Sequence, residues 1–254
     1  MSEWIIGFDA STPRCVVVLG RIAEGERQVL VVADERDEDE GGNQASVHLV
    51  TRLHAALEQA GIRPSDLAAI ACGCGPGTFT GTRVAVSTAK GLAVGLGRPV
   101  VPVSTLMALA LAAEGSTWVL PLLDARRGEA YGCLVRCAWA DAGGIPRVEL
   151  VEEPRCALAS ELLQSAIGHA GDERITVVGT GVAPYRDALP ESLRETAQPV
   201  AGPTAIGLWR ACARAFVDGA AIDPAIVEAV YLRKSYAELG VNKPKRPFVR
   251  SPFV

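Results

Sequence analysis

Histidine is scarce in this 254-residue sequence, which has three. His48 and His54 stand six residues apart, about 240° around a helix, so they cannot chelate one ion as an i, i+4 pair does. His169 falls at the end of a predicted helix, where a cation is favourable against the dipole. No serine sits in a Gly-x-Ser-x-Gly elbow. The uncharged window Pro99 to Ala113 has fifteen residues and two prolines, and none in the chain exceeds the sixteen of Leu67 to Thr82, short of the roughly 20 apolar residues of a membrane-spanning helix. The seven cysteines are an odd number with no CxxC pair, which argues against a disulfide framework. Cys72 and Cys74 would share a face if strand-borne, but no third or fourth metal ligand lies near them at a usual spacing. An excess of basic charge is missing too. Lys and Arg number 25 against 29 Asp and Glu, so no overall basic field draws the chain onto RNA or membranes. Met1 to Asp9 carries acids where a signal peptide carries bases. Reduced thiols and a cytoplasmic location are expected.

Apolar residues make up 49% of the chain and charged ones 21%, the balance of a globule with a real core and not of a disordered chain. The length suits one large domain or two small ones. Three apolar runs open the sequence, Trp4 to Ala10, Cys15 to Arg21 and Gln28 to Ala33, separated by turn compositions, and they predict a three-strand meander. The acidic run Asp34 to Glu40 is expected as a solvated loop. From Gln44 to Ala60 the period becomes helical, with an apolar stripe of Leu49, Val50, Leu53, Leu57 and Ala60, and Gly61 closes the helix. A short strand over Leu67 to Cys72, a helix over Thr82 to Gly95, a strand over Pro99 to Val103 and a helix over Ser104 to Ala113 complete a first unit. A second unit repeats the order. Strands are expected over Trp118 to Leu123, Glu129 to Cys137 and Arg147 to Glu152, with Asp124 to Glu129 as a hairpin turn. A helix (Leu158 to His169), a strand (Arg174 to Val178) and a helix (Pro203 to Val217) follow. Two α/β units, each a mixed sheet flanked by helices, are the expected architecture. From Arg233 to Val254 six basic residues face Glu238 alone, and three prolines exclude a regular helix. This tail is either draped on the surface or in contact with a partner or RNA.

The most informative segment is the glycine-rich strand-to-helix turn, Gly73 to Gly81. Such a loop can aim backbone N–H groups at an anion. It fails the P-loop template, because Gly73, Gly75 and Gly77 are followed five residues on by Thr78, Thr80 and Thr82 with no lysine to follow. The dinucleotide fingerprint lacks its third glycine. A tight turn that brings the next helix close to its neighbours is the competing reading. Asp9-Ala10-Ser11-Thr12 is the second candidate. In actin-like ATPases and sugar kinases an aspartate there coordinates metal and a glycine-containing hairpin cradles phosphate. Ser11 stands where that pattern wants glycine, so Asp9 reads equally as a strand-end cap or a metal ligand. Asp9, Ser11 and Thr12 are the only cofactor-binding candidates. The helix that follows the glycine turn carries small residues on several faces (Ala85, Ser87, Ala89, Gly91, Gly95), for close approach within the chain or to a partner.

At Gly75-Pro76-Gly77-Thr78-Phe79-Thr80-Gly81, with Arg83 and then Thr88-Ala89-Lys90-Gly91-Leu92-Ala93, the sequence resembles the TsaB (YeaZ) family. These are bacterial partner subunits of tRNA threonylcarbamoyladenosine synthesis. The family motif reads GPGSFTG, and Thr78 replaces its serine. Further matches are Ile6 to Thr12, Val103 to Leu106, Leu123 to Glu129 and Tyr231-Leu232-Arg233. The resemblance spans about residues 4 to 234 and leaves out the tail.

The resemblance implies an α/β, actin-like (ASKHA) fold of two ribonuclease-H-like units. Residues 1–104 would form the N-terminal unit with the partner-binding helices, 105–236 the C-terminal unit, and 237–254 the basic tail. It also implies a subunit that is not an enzyme by itself, with no catalytic residue, cofactor or metal. Its partners would be a TsaD-type catalytic subunit, which binds metal through an HxxxH motif, and a TsaE-type ATPase. tRNA would be met only through that complex, and no membrane at all. The pairing surface would use the helices Gln44 to Ala60 and Thr80 to Gly95. Ala85, Thr88, Ala89 and Leu92 are the expected contacts, with His48 and Arg52 at the rim; left uncovered, this surface would make a homodimer. The missing HxxxH and the serine at position 11 fit a paralogue that kept a scaffold and lost its site. The alternative is an actin-like ATP-dependent phosphotransferase using Asp9. For a peptidase, neither a metal dyad nor a nucleophile–base pair is visible.

Overall fold

The computed structural model describes residues 3–22, 29–37, 45–139 and 145–233. The first sheet is built from β1 (Glu3–Asp9), β2 (Arg14–Ile22), β3 (Val29–Asp37), β4 (Leu67–Gly73) and β5 (Val100–Val103), in the order β3-β2-β1-β4-β5. The first three run antiparallel as a meander, and β4 and β5 are parallel to β1. Alternate residues of β1 and β2 feed two different cores. Ile5, Val16 and Val18 point to one face of the sheet, and Ile6, Phe8, Cys15, Val17 and Leu19 to the other. A sheet buried on both faces explains why these strands read as unbroken apolar runs.

Helices α1 (Ala45–Ala60) and α2 (Phe79–Leu96) cover one face, burying Leu49, Leu53 and Ala56 from α1 and Ala85, Val86, Ala89 and Ala93 from α2. The α1 helix ends as expected at Gly61, with φ of 66°. The Gly61 and Ile62 N–H groups donate back to the carbonyls of Glu58 and Leu57, both at 3.0 Å, which satisfies the last turn. The α2 helix begins three residues before the expected Thr82. Thr78 caps it by accepting from the Gly81 N–H at 3.3 Å.

The second sheet echoes the first. Strand β6 (Trp118–Arg126) pairs antiparallel with β7 (Glu129–Gly132) along its second half and with β8 (Val135–Ala138) at its start. β9 (Arg147–Leu150) pairs with β8, β10 (Arg155–Leu158) pairs with β7, and β11 (Ile175–Val178) runs parallel to β6. Each of the two outer strands of this meander is thus broken in two, and β6 and β11 stand where β1 and β4 stand in the first sheet. Strand order and connectivity are those of two ribonuclease-H-like units in an actin-like α/β fold. The helix α4 (Ala159–Ala170) covers the outer face over Leu120, Leu122 and Val177. Short helices α3 (Thr105–Ala110) and α5 (Glu191–Arg194) and the longer α6 (Ala205–Val217) are the remaining α-helices among the described residues.

The shared centre lies between the two sheets, where α3 packs under β6 and α6 under β1, β2, β3 and β5. Trp209 of α6 is buried against Gly20, where a side chain would overlap its ring. The chain therefore crosses back. α6, and Ile222 bridged to Val100, fall within the expected second unit yet lie on the first sheet.

Several expectations need correction. The acidic run is not all loop, because Asp34 to Asp37 continue β3 opposite Val17 to Arg14; an edge strand tolerates charge. The expected turn at Asp124 is still strand, and the reversal comes at Arg126, Arg127 and Gly128, all with positive φ. The expected helix from Ser104 to Ala113 stops at Ala110. The tail, 237–254, lies outside the described residues.

Candidate functional site

Asp9, at the end of β1, is fully buried. The Ser11 N–H and hydroxyl both donate to its Oδ1 at 2.7 Å, and the Thr105 hydroxyl donates to Oδ2 at 2.7 Å. Ser11 and Thr105 hydroxyls are themselves 2.9 Å apart. On the remaining side a methyl group on Gly73 would overlap the carboxylate. Burial pushes the Asp9 carboxyl above its usual pKa, and the Thr105 and Ser11 hydrogen bonds pull part of the way back. Ser11 thus supplies the capping contact of an Asx turn, and Asp9 ties three segments of chain together. Thr12 turns its hydroxyl to the Arg14 carbonyl, at 2.9 Å.

The glycine loop closes over the same strand end. The Thr78 N–H donates to the Ser11 carbonyl at 2.6 Å. Side chains on Gly77 and Gly81 would collide with the backbones of Ser11 and Ala10. Gly75, with φ of 94°, precedes a cis Pro76, and its carbonyl accepts from the Thr105 N–H at 3.0 Å. These backbone groups are spent on the chain itself, which favours the tight-turn reading of the motif over an anion cradle.

Beside this seal, a cleft of about 440 Å³ opens between the units. Ser11 to Pro13, Gly77 and Thr78 line it from the first, and Leu123 to Arg126, Tyr131, Thr180 and Pro184 from the second. Asp9 does not reach it. Its polar centre is Asp124, with a side chain 15% exposed. Asp124 Oδ1 accepts from the Tyr185 hydroxyl at 2.7 Å and from the Arg126 N–H at 2.8 Å, and Oδ2 lies 3.4 Å from the Arg126 guanidinium. Arg126 and Arg127 have φ of 67° and 61°, a conformation that disfavours side chains by about 1 kcal/mol or more per residue.

A segment that sequence reasoning missed straps the two units. The Val230 N–H donates to the Cys74 carbonyl at 2.8 Å, and Lys90 Nζ donates to the Val227 and Ala225 carbonyls at 2.8 and 3.2 Å. Arg83 lies over the Phe79 ring at 3.7 Å, and its Nε donates to the Tyr231 hydroxyl at 3.0 Å. Arg233 crosses to the second unit, donating to the Ala125 carbonyl at 2.8 Å and pairing with Glu129 at 2.7 Å. Phe79 and Arg83 of the motif thus hold Tyr231, and Lys90 holds the strap a few residues before it; the match of Tyr231-Leu232-Arg233 to the family pattern was the available signal.

The expected interface residues divide. Ala85 and Ala89 are fully buried against the sheet and cannot touch a partner. Thr82, Ala85, Val86, Ala89 and Ala93 set the buried phase of α2, and the outward phase falls on Ser87, Gly91, Val94 and Gly95. Thr88 and Leu92 are half-buried on its flank, and His48 is exposed on α1 near Val50, which is 58% exposed. Arg52 is half-buried and turns a guanidinium N–H to the Cys15 carbonyl at 3.4 Å, back toward the sheet.

His54 pairs with Glu58 at 3.2 Å. His169 Nδ1 lies 2.9 Å from the Ser165 carbonyl and 3.4 Å from Glu152, while the Ser165 hydroxyl donates to Glu152, so that histidine activates no serine. Among the described residues no three His, Cys, Asp or Glu side chains gather as metal ligands, and no helix is long and apolar enough to cross a membrane.

Comparison with known proteins gives a consistent picture. A family model described as TsaD, tRNA N6-adenosine threonylcarbamoyltransferase, matches residues 40–143. The tRNA threonylcarbamoyladenosine biosynthesis protein TsaB of Escherichia coli is 35% identical over 191 residues, covering 71% of this chain and 77% of that protein. The Haemophilus influenzae TsaB is 28% identical over 235 residues, covering 90% and 93%. The solved structure of YeaZ from Pseudomonas aeruginosa superposes with a TM-score of 0.71 at 26% identity, covering 91% of this chain and 100% of the other.

Proposed function

The chain belongs to the TsaB (YeaZ) family of tRNA threonylcarbamoyladenosine biosynthesis proteins, and on that footing we propose that it acts without chemistry of its own, as the subunit that pairs with a TsaD-type transferase and, through it, with a TsaE-type ATPase. tRNA meets it only within that assembly, in the cytoplasm, and it needs no cofactor. The observation that carries this reading is the seal on Asp9. A metal or phosphate at the end of β1 would have to displace two hydroxyls and the Gly73 backbone from a fully buried carboxylate.

What the chain offers instead is the outer surface of α1 and α2. Val94 is 71% exposed and Val50 58% exposed. At Gly91 and Gly95 a side chain would meet nothing within 4 Å, so a facing helix can come close to the α2 backbone. Two helices from each partner form a small bundle with apolar ridges at its centre and polar residues such as His48 at its rim; Thr88 and Leu92 border the α2 contact. The same surface, uncovered, supports a homodimer. Pairing assists the reaction by differential binding, favouring the transfer-competent conformation of the catalytic subunit.

The test is co-purification with the TsaD-type subunit. Val94→Arg abolishes pairing and shifts stability by no more than about 0.5 kcal/mol, as for exposed positions elsewhere. Pairing at normal yield by a folded Val94→Arg chain contradicts the assignment.

A further inference from the structure

The seven cysteines include one pair at the end of β4 that the function above leaves unused. Cys72 and Cys74 are 0% and 3% exposed, and their sulfurs are 3.7 Å apart. We propose that Cys72 and Cys74 are an oxidisable thiol pair, closed by a peroxide to an intrachain disulfide, with the strap that ends at Arg233 as its gate.

The geometry favours closure. A disulfide needs its sulfurs at about 2.05 Å, so the pair must approach by less than a bond length and a half. Residues two apart span at most about 7 Å when extended, the upper end of what a disulfide bridges. Cys74 lies one residue past the end of β4, and bending at Gly73 supplies the shortening. The two thiols are also differentiated. Hydrogen bonding with the Cys72 thiol holds Cys74 below the usual thiol pKa, whereas that bond and burial push Cys72 up. Cys74 is therefore the thiol that ionises first and attacks, and Cys72 the one that resolves.

The chemistry balances. The Cys74 thiolate attacks one peroxide oxygen, the O–O bond breaks, and the leaving hydroxide takes a proton to become water. The resulting sulfenic acid is attacked by the Cys72 thiol. The S–S bond forms, the S–O bond breaks, and the hydroxyl leaves as water with the Cys72 proton. Two thiols are oxidised and one hydrogen peroxide is reduced to two waters.

Access requires the strap to lift. Val230 is bonded to the Cys74 carbonyl, Val227 is buried in the same core as both cysteines, and Lys90 holds the carbonyls of Val227 and Ala225. The bridge would in turn draw Cys74 from its bonds to Val103 and Val230, each 2.8 Å, and press Gly73 on Asp9. Oxidation thereby loosens the loop that starts α2.

The full chain is treated with hydrogen peroxide, its remaining thiols are alkylated, and the tryptic peptide Leu53 to Arg83, which holds only these two cysteines, is weighed. The expected peptide has lost two hydrogens and taken up no alkylating agent, and dithiothreitol restores both thiols. Lys90→Ala, which frees the strap, speeds closure several-fold; Tyr231→Ala serves as the second strap variant should Lys90→Ala not fold. Two alkylated thiols after peroxide, in wild type and strap variant alike, overturn the pair. So does a sulfinic acid on Cys74 beside an unmodified Cys72. Equal closure rates in wild type and strap variants overturn the gate.

Discussion

Asp9 at the end of β1 and Asp124 near the end of β6 occupy matching places in two sheets of the same topology, and their surroundings differ. Asp9 is enclosed by Ser11, Thr105 and Gly73. Asp124 faces a cleft and is held from its own unit by Tyr185 and Arg126. The same backbone position yields a buried tie in one unit and a partly open carboxylate in the other. The difference comes from what the following loops supply. The first unit brings a long glycine-rich loop and α3 over the strand end. In the second, Gly179, whose φ is 130°, passes close to the Leu122 backbone, and the chain then moves off into short turns.

The comparison breaks most sharply under truncation. Asp9→Ala removes three hydrogen bonds and leaves two hydroxyls buried without their acceptor, and it lowers unfolding free energy by about 2–4 kcal/mol at roughly 1 kcal/mol per bond or more. Asp124→Ala gives up two hydrogen bonds whose donors water in the cleft can reach, and lowers it by about 1 kcal/mol. Denaturant melts of the two variants side by side measure the gap, and equal losses would erase the distinction drawn here. Gly73→Ala comes next. The new methyl meets the Asp9 carboxylate, for a loss of about 1–3 kcal/mol, and the double variant Gly73→Ala/Asp9→Ala recovers part of it if that contact is the cause. Tyr185→Phe is smaller. It gives up hydrogen bonds to Asp124 and to the Glu129 carbonyl, 2.7 and 2.8 Å, for about 1 kcal/mol, and it loosens the cleft wall without touching the first unit.

The smallest effect is a pH slope. The folded chain holds the Asp9 proton more tightly than the unfolded chain does. Its contribution is therefore fully present below the unfolded carboxyl pKa, near 3.8, and is lost as pH rises through the raised folded value. Asp9→Asn removes that part of the slope, which melts from pH 3 upward would reveal by difference; an unchanged slope would mean that Asp9 is not desolvated.

The architecture was largely legible, because sheets buried on both faces write continuous apolar runs and because α1 carries one clean stripe. The breaks were not. Cys133 and Leu134 are both buried, but in different cores, so the kink that divides β7 from β8 leaves no polar residue in the sequence. β10 was not foreseen: Arg155 to Ala157 were left unassigned and Leu158 was given to the following helix, since four residues carry too short a pattern to declare a strand. The phase of α2 was misread because small residues stand on every side of it; only the tertiary fold distinguishes Ala85 from Gly91. Asp9 stood out at the end of its strand, but its seal depends on Thr105 and Gly73, 96 and 64 residues away, and no local pattern announces such a meeting.

The central claim is that the chain contributes a surface and not a reacting carboxylate. The measurement that tests it most directly is the rate of threonylcarbamoyladenosine formation in an assembly reconstituted from the TsaD-type and TsaE-type subunits with folded Asp9→Asn chain. A rate within about twofold of wild type is predicted. A fall of a hundredfold, with pairing intact, would make Asp9 a participant in the chemistry and contradict the account.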